Sequence, residues 1–138
     1  RRVFDELDEG FCRFYFTYFE EVDLSWRMRS AGFKIIYAPK AVVYHKGSVS
    51  IKVNKKVSTQ DMFSIRNKYL TYYRNLPRSH FAAVLPIMIL YDIARAGKHT
   101  IKGNPAFVVN FAAGLGKFVK ERHKVDRPRN GRLSDLRW

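Results

Sequence analysis

The feature that most constrains the fold is a four-residue repeat of apolar side chains that ends at a glycine. Tyr18, Val22 and Trp26 recur at helical spacing, which predicts an amphipathic helix that continues to about Ala31. Gly32 follows, and glycine is the residue that most often occupies the C′ position because it enters the left-handed region without a Cβ clash. We therefore expect the helix to stop there.

Two short segments after this helix are rich in β-branched and aromatic residues. Phe33–Tyr37 and Ala41–Tyr44 have the composition of strands, and Pro39 lies in the turn between them. The polar, lysine-rich stretch Ser48–Lys56 has the composition of a loop. A helix followed by two strands predicts an α/β fold class for this part of the chain.

The second half of the chain is predicted to be helical. Ser58–Asp61 resembles a capping box, and it opens a helix that the Asn-Leu-Pro sequence after Arg74 stops. A further helix is expected over Ser79–Ala96, with Gly97 closing it. Its uncharged run Phe81–Tyr91 has eleven residues, well short of the roughly 20 needed to span a bilayer.

The last predicted helix opens at Asn104-Pro105, a good N-cap and N1 pair, and carries an apolar stripe at helical spacing. The stripe consists of Phe107, Phe111, Leu115 and Phe118. Basic side chains cluster near its ends, which is the composition of a helix that lies on an anionic membrane without crossing it. The alternative is that the stripe packs on the apolar run of the preceding helix.

Charge is distributed unevenly along the 138 residues, whose formal net charge is +14. Residues 1–23 hold three Lys or Arg and seven Asp or Glu, whereas residues 24–138 hold 23 Lys or Arg and five Asp or Glu. An acidic head on a basic body indicates a site at the head and a polyanionic neighbour for the body. Nucleic acid, anionic lipid and a phosphorylated ligand all fit the charge, although no RNP, KH or zinc-finger pattern is present to favour nucleic acid.

The single cysteine, Cys12, excludes an intramolecular disulfide and a cysteine-built metal site, and it is compatible with a reducing compartment. The chain starts at Arg1 and not at Met, and its strongest motif lies close to that start. We therefore expect it to be the C-terminal part of a longer protein.

Carboxylates on the first predicted helix are the candidate catalytic groups. Glu20, Asp23 and Arg27 share one helix face, and Glu21 lies roughly 100° around the axis. One interpretation is a solvated face with an Asp23–Arg27 ion pair. The other is a general base, because the apolar residues around these carboxylates would disfavour the ionised form.

His45 stands at the end of the second predicted strand and is the candidate metal ligand. A histidine in such a position is more often structural, but the following Gly47-Ser48 permits a close approach of the backbone to a ligand. Imidazole together with carboxylates suits Mn²⁺, whereas Mg²⁺ prefers sites built from oxygen alone. The predicted cofactor is therefore a divalent metal, Mn or Mg.

Three motifs in this order carry a family resemblance. They are Tyr-Phe-Glu-Glu-Val-Asp-Leu-Ser-Trp-Arg-x-Arg at 18–29, Ala-Gly-Phe-Lys-Ile-Ile-Tyr-x-Pro at 31–39 and Val-Val-Tyr-His-x-Gly-Ser at 42–48. The chain resembles the C-terminal part of the catalytic domain of inverting GT-A glycosyltransferases, and more narrowly the rhamnosyltransferase-like members of glycosyltransferase family 2. The match is looser at Arg66-Asn67 and Asn75-Leu76-Pro77.

The resemblance implies a role for each candidate residue. Glu21 would be the base that deprotonates the acceptor hydroxyl, with Glu20 and Asp23 as the other members of the catalytic carboxylate set. His45 would join the metal on the donor diphosphate. The substrate-binding candidates are Trp26, which could offer a flat surface to a sugar ring, and Arg27, which with Asp23 would orient the helix face. A base and a metal ligand that serve one donor must converge, so Glu21 and His45 are expected within about 10 Å of each other.

The resemblance also implies an organisation and partners. Residues 1–56 would end a GT-A domain, 57–125 would form a helical extension, and 126–138 would be a basic tail. The partners would be a nucleotide-sugar donor, a glycan or lipid-linked glycan acceptor and an anionic membrane surface, with a cytoplasmic location peripheral to the inner face of the cell membrane. The rival interpretation is a non-catalytic basic module that docks on anionic membrane or nucleic acid.

Overall fold

The computed structural model of the chain describes residue 7 and residues 9–44 and 59–126. Within these residues four α-helices follow one another, and a short 3₁₀ turn at Arg122–Lys124 closes the last of them. The helices are α1 (Glu20–Ser30), α2 (Thr59–Asn75), α3 (Arg78–Ile101) and α4 (Ala106–Glu121). α2 is the central helix, because it contacts each of the other three.

The α/β expectation, and with it the GT-A fold, is wrong for the part of the chain that the structure describes, which contains helices and no strand. The predicted strands 33–37 and 41–44 are irregular, and their side chains reach solvent: Ile36 is 83%, Tyr37 90% and Tyr44 95% exposed. A strand requires a neighbour for its N–H and C=O groups, and no ladder forms with these segments within the described residues. β-propensity without such a neighbour does not make a sheet.

α1 ends where its sequence predicts, whereas it begins at Glu20, two residues after the predicted start at Tyr18. Its first turn carries acidic side chains and its last turn basic ones, which favours the helix dipole at both ends. Gly32 adopts φ = +86°, and the amides of Gly32 and Phe33 donate to the carbonyls of Arg29 and Met28 at 3.0 Å each. These two bonds form a Schellman motif, so the predicted glycine stop is confirmed.

α2 packs most closely against α4. Gly114 of α4 lies so near α2 that a Cβ there would meet the carbonyl oxygen of Met62 at 2.8 Å and the Cβ of Ile65 at 2.9 Å. Ile65 and Tyr69 of α2 are 2% and 0% exposed in this interface. Because glycine has no side chain, Gly114 allows α2 and α4 to approach this closely.

α3 is longer than its sequence predicts. Gly97 was expected to close it, but the helix continues to Ile101 and ends at Gly103, which adopts φ = +79°. The additional turn has a packing partner, because the His99 ring stacks on Phe107 of α4 with 4.4 Å between ring centroids. A glycine inside a helix costs about 1 kcal/mol, which such a contact can offset.

The apolar stripe of α4 faces the other helices. Phe107 and Phe118 are 1% and 4% exposed, and Phe111 and Leu115 pack against the same core. Phe118 also meets the ring of Phe81 on α3 at 6.1 Å. The prediction that this stripe lies on a membrane is therefore wrong, and the alternative that it packs on the preceding helix is confirmed.

α3 is long and apolar enough to cross a bilayer, by length and composition, and it is the one such helix among the described residues. The eleven-residue run identified in the sequence is only part of this 24-residue helix. Length and composition do not distinguish a spanning helix from a core helix of a soluble protein. The location of the exposed face of α3 is therefore needed to distinguish the two.

Candidate functional site

The three acidic side chains at the start of α1 occupy different environments. Glu21 is exposed to solvent, Glu20 is partly buried and Asp23 is fully buried. The Oε2 atom of Glu20 is enclosed and has no hydrogen-bond partner among the described residues. One short segment therefore carries both a solvent-exposed carboxylate, Glu21, and a fully buried one, Asp23.

Asp23 is the centre of a buried polar cluster. Its Oδ2 accepts hydrogen bonds from Nε of Arg27 and Nη1 of Arg74, both at 2.9 Å. Its Oδ1 accepts from Nδ2 of Asn75 at 2.8 Å and from the Tyr15 hydroxyl at 3.3 Å. Four donors around one buried carboxylate satisfy its acceptor capacity, so Asp23 holds α1 against α2.

The two arginines of this cluster use their remaining donors inside the protein. Arg27 donates to the backbone carbonyls of Glu9 and Gly10. Arg74 donates to Oε1 of Glu9 at 2.6 Å and to the carbonyl of Asp126 at 3.0 Å. Both side chains are 7% exposed. Arg27, expected to contact substrate, therefore ties the segment before α1 to the helix.

Electrostatics in the cluster follow from burial and from the Asp23 charge. Burial raises the pKa of Tyr15, and the negative charge of Asp23 raises it further. For Arg74, burial by itself would lower the pKa, but Asp23 and the bond to Glu9 outweigh it and raise the pKa. Tyr15 is therefore held as a neutral donor, and Arg74 is held in its charged form.

The segment that enters α1 has an unusual backbone. Phe16, Tyr18 and Phe19 have φ values of 63°, 65° and 69°, a left-handed conformation that is a true outlier for bulky side chains. The buried side chain of Asn67 on α2 donates from Nδ2 to the carbonyls of Tyr15, Thr17 and Tyr18 at 3.0, 2.6 and 2.8 Å. These bonds hold the strained segment directly before the first turn of α1.

Arg66 supports the same segment and fixes the orientation of the Asn67 amide. Its Nε donates to Oδ1 of Asn67 at 2.8 Å, and its Nη2 donates to the carbonyls of Phe14 and Tyr15. Its Nη1 is 3.1 Å from Oε2 of Glu121 on α4. One arginine thus connects α2, α4 and the entry to α1.

Trp26 and His45 complete the expected site residues. Trp26 is partly buried, and its ring meets Tyr72 of α2 edge-on with 5.5 Å between centroids. His45 lies outside the described residues, so its closeness to Glu21 stays a prediction. Among the residues that are described, no three His, Cys, Asp or Glu side chains are close enough to hold a metal ion.

Sequence reasoning missed four residues that shape the site: Tyr15, Asn67, Arg74 and Asn75. The last three are polar residues on the buried face of α2, which the helix pattern alone treats as interruptions. Arg66-Asn67 and Asn75-Leu76-Pro77 also belong to the looser part of the family resemblance. Polar residues at core-facing helix positions are the signal that could have identified them, since buried polar groups are almost always paired.

Comparisons with known proteins add no family to this geometry. No protein-family model matches the chain, and neither a curated protein nor a solved structure does.

Proposed function

We propose that this chain supplies the general base of an inverting glycosyltransferase, and that Glu21 is that base. The observation that carries the proposal is the placement of Glu21. It is a solvent-exposed carboxylate in the first turn of α1, which follows a strained segment and is fixed by the buried Asp23. Strained backbone clusters at active sites, where the surrounding structure maintains it. The motifs at 18–48 supply the reaction class, and the proposal includes no sheet.

The chemistry is a direct displacement. The acceptor hydroxyl attacks the anomeric carbon of a nucleotide sugar, the bond from that carbon to the diphosphate breaks, and the nucleoside diphosphate leaves with the bonding pair. Glu21 accepts the hydroxyl proton as the new glycosidic bond forms. A positioned base of this kind contributes roughly 10²–10⁴-fold to the rate.

In this proposal the residues around Glu21 hold its carboxylate in place. Asp23 and Arg27 fix the helix, and Asn67 fixes its entry, so these residues set where the Glu21 carboxylate lies. Glu20 has a buried oxygen without a partner in the described part of the chain, which gives it less freedom to reach an acceptor. Trp26 presents its partly exposed ring on the same helix. The divalent metal that the resemblance implies would have His45 as a ligand, which lies outside the described residues, and it would stabilise the charge of the leaving diphosphate.

The test is transfer by the intact protein that carries this chain. A panel of nucleotide sugars is incubated with glycan and lipid-linked glycan acceptors, and products are detected by mass spectrometry. Glu21→Gln should lower kcat about a hundredfold or more and leave the KM for the donor nearly unchanged, because only proton transfer is lost. Glu21→Asp keeps the carboxylate and should retain a measurable part of the rate.

Glu20→Gln is the matched control, since it neutralises the adjacent carboxylate, and it should have the smaller effect. A larger loss from Glu20→Gln would assign the base to Glu20. Undiminished transfer by Glu21→Gln would overturn the assignment of Glu21 as the base. No transfer from any donor would overturn the proposal in favour of a non-catalytic basic module.

A further inference from the structure

The outer face of α3 is apolar and uncovered. Six residues spaced three or four positions apart form one row along it, which we call the outer row. They are Ala83, Ile87, Leu90, Ala94, Gly97 and Ile101, and all six are exposed. Ile87 is 67%, Leu90 68% and Ile101 89% exposed. At 1.5 Å per residue the row is about 27 Å long.

The apolar surface continues onto α4. A groove of about 490 Å³ lies between the two helices, and it is lined by Ile93, Gly97 and Ile101 of α3 and by Val108 and Phe111 of α4. Val108, which lines the groove, is 44% exposed. A contiguous exposed apolar surface of this kind marks an interaction site on a soluble protein.

Positive charge surrounds this surface. Arg78 stands at the start of α3, Arg95 and Lys98 stand beside its outer row, and Lys102 follows its last turn. Lys120 is exposed near the end of α4. Of the charged residues from 78 to 126 that are exposed, Asp126 is the only acidic one within this described range.

The acidic residues of α3 and α4 are turned inward. Asp92 of α3 is fully buried, and both its carboxylate oxygens lie 2.6 Å from Nζ of Lys68 on α2. The Tyr69 hydroxyl donates to the same carboxylate at 2.8 Å. Glu121 of α4 pairs with Arg66. The outer surface therefore combines apolar side chains with cations and lacks the carboxylates that would be repelled by an anionic partner.

We propose that the outer face of α3 and α4 docks on an anionic lipid bilayer, with α3 lying parallel to the membrane plane. The outer row would enter the boundary between headgroups and acyl chains, and the surrounding cations would contact anionic headgroups, as in interfacial helices. A parallel orientation follows from the opposite side of α3, which packs on α2 through the Lys68–Asp92 ion pair. Insertion across the bilayer would take that ion pair and Arg95 into hydrocarbon, which is costly.

This surface differs from the stripe of α4 that the sequence indicated, because Phe107 and Phe118 of that stripe are buried and, of its four residues, Phe111 is the one that lines the groove. The proposal is also independent of sugar transfer. Loss of membrane binding would not bear on the role of Glu21, and loss of catalysis in a Glu21 variant would not bear on the docking face.

The first test is flotation of the chain with vesicles of phosphatidylglycerol and phosphatidylcholine, compared with vesicles of phosphatidylcholine alone. The chain should partition to the anionic vesicles at least tenfold more strongly. The preference should weaken in high salt, because screening already acts over about 8–10 Å at physiological ionic strength.

Matched variants locate the surface. Ile87→Asn with Leu90→Asn should lower partitioning at least tenfold. Val42→Asn with Val43→Asn is the control, because these valines are 69% and 86% exposed on a different segment and their replacement should change nothing. Equal partitioning of both double variants would overturn the proposed face.

A second measurement is independent of binding strength and gives the orientation. Polarity-sensitive labels are placed in a Cys12→Ser background at Ile87→Cys, Ile101→Cys and Tyr44→Cys, and their depths are measured with lipid-borne quenchers. Positions 87 and 101 should lie at one shallow depth, while 44 should stay in water. Depths that differ by about half a bilayer would mean a spanning helix and would overturn the parallel orientation.

Analytical ultracentrifugation without lipid tests whether a second copy of the chain covers this face. A monomer that floats with anionic vesicles supports the proposal. A wild-type dimer that dissociates in the Ile87→Asn, Leu90→Asn variant would mean that a second copy of the chain covers this face, and would overturn it.

Discussion

Nη1 of Arg74 on α2 donates to Oδ2 of Asp23 on α1 at 2.9 Å, across 51 positions of sequence. Neither side chain is more than 7% exposed. Asp23 also accepts from Arg27 and Asn75, so α1 is held to the central helix by a buried ionic cluster as well as by apolar packing. The exposed Glu21 stands two residues from that anchor, which gives the candidate base a fixed position.

Replacement of Asp23 by alanine should destabilise the fold strongly. It leaves Arg27 buried without a counter-charge and Arg74 with Glu9 alone, and breaking a buried ion pair costs about 3–5 kcal/mol. Urea unfolding monitored by circular dichroism measures the change. Glu21→Gln is the matched control two positions away, and as an exposed substitution it should stay within about 0.5 kcal/mol. Similar losses for both variants would contradict the structural role of Asp23.

Replacement of Asn67 by alanine should weaken the entry to α1. The carbonyls of Thr17 and Tyr18 would lose their donor, at about 1–3 kcal/mol for each buried group left without a partner. Asn67→Asp should be worse, because a carboxylate would face the same carbonyl oxygens. The free energy of unfolding of the two variants checks the order, and an aspartate variant as stable as wild type would refute it.

Two glycines of α4 should respond in opposite directions to alanine. Gly114→Ala places a Cβ 2.8 Å from a backbone oxygen of α2, and overpacking of this kind costs about 1–3 kcal/mol. Gly116→Ala has no atom within 4 Å of the new Cβ and should gain up to about 1 kcal/mol from helix propensity. Thermal unfolding of both variants decides, and equal melting temperatures would contradict the close approach of α2 and α4.

Stability should fall at alkaline pH because of Tyr15 and Tyr69. Burial raises the pKa of both phenols, with Asp23 and Asp92 adding to the effect. Their stabilisation is fully present below the unfolded pKa of about 10 and is lost as the pH rises toward the higher folded pKa, by up to about 1.4 kcal/mol per pH unit for each group. Urea unfolding between pH 9 and 11 measures the slope. Tyr15→Phe should reduce it by about one proton, and an unchanged slope would contradict the assignment.

Short-range signals in the sequence predicted where α1 and α2 end, but they placed the end of α3 one turn too early, at Gly97. The glycine stop of α1 at Gly32 is confirmed, and α2 ends at Asn75, one residue beyond its predicted end at Arg74. Capping and turn preferences depend on a few adjacent residues, so they can be identified without knowledge of the fold. The same local preferences predicted strands at 33–37 and 41–44, where the described structure has none.

The candidate site shows the same difference between what local sequence predicts and what tertiary packing decides. The sequence determined that Glu20, Glu21 and Asp23 lie on one short helix and that α4 carries an apolar stripe, because helical periodicity fixes both. Only the tertiary structure decided that Asp23 is an internal anchor and Glu21 is exposed, and that the stripe faces inward while the outer row of α3 stays open. The partners responsible, Arg74 and Asn75 for Asp23 and Phe81 for Phe118, are brought close by packing across long separations in sequence. A local pattern specifies which residues share a face, but the direction of that face depends on which distant side chains bury it.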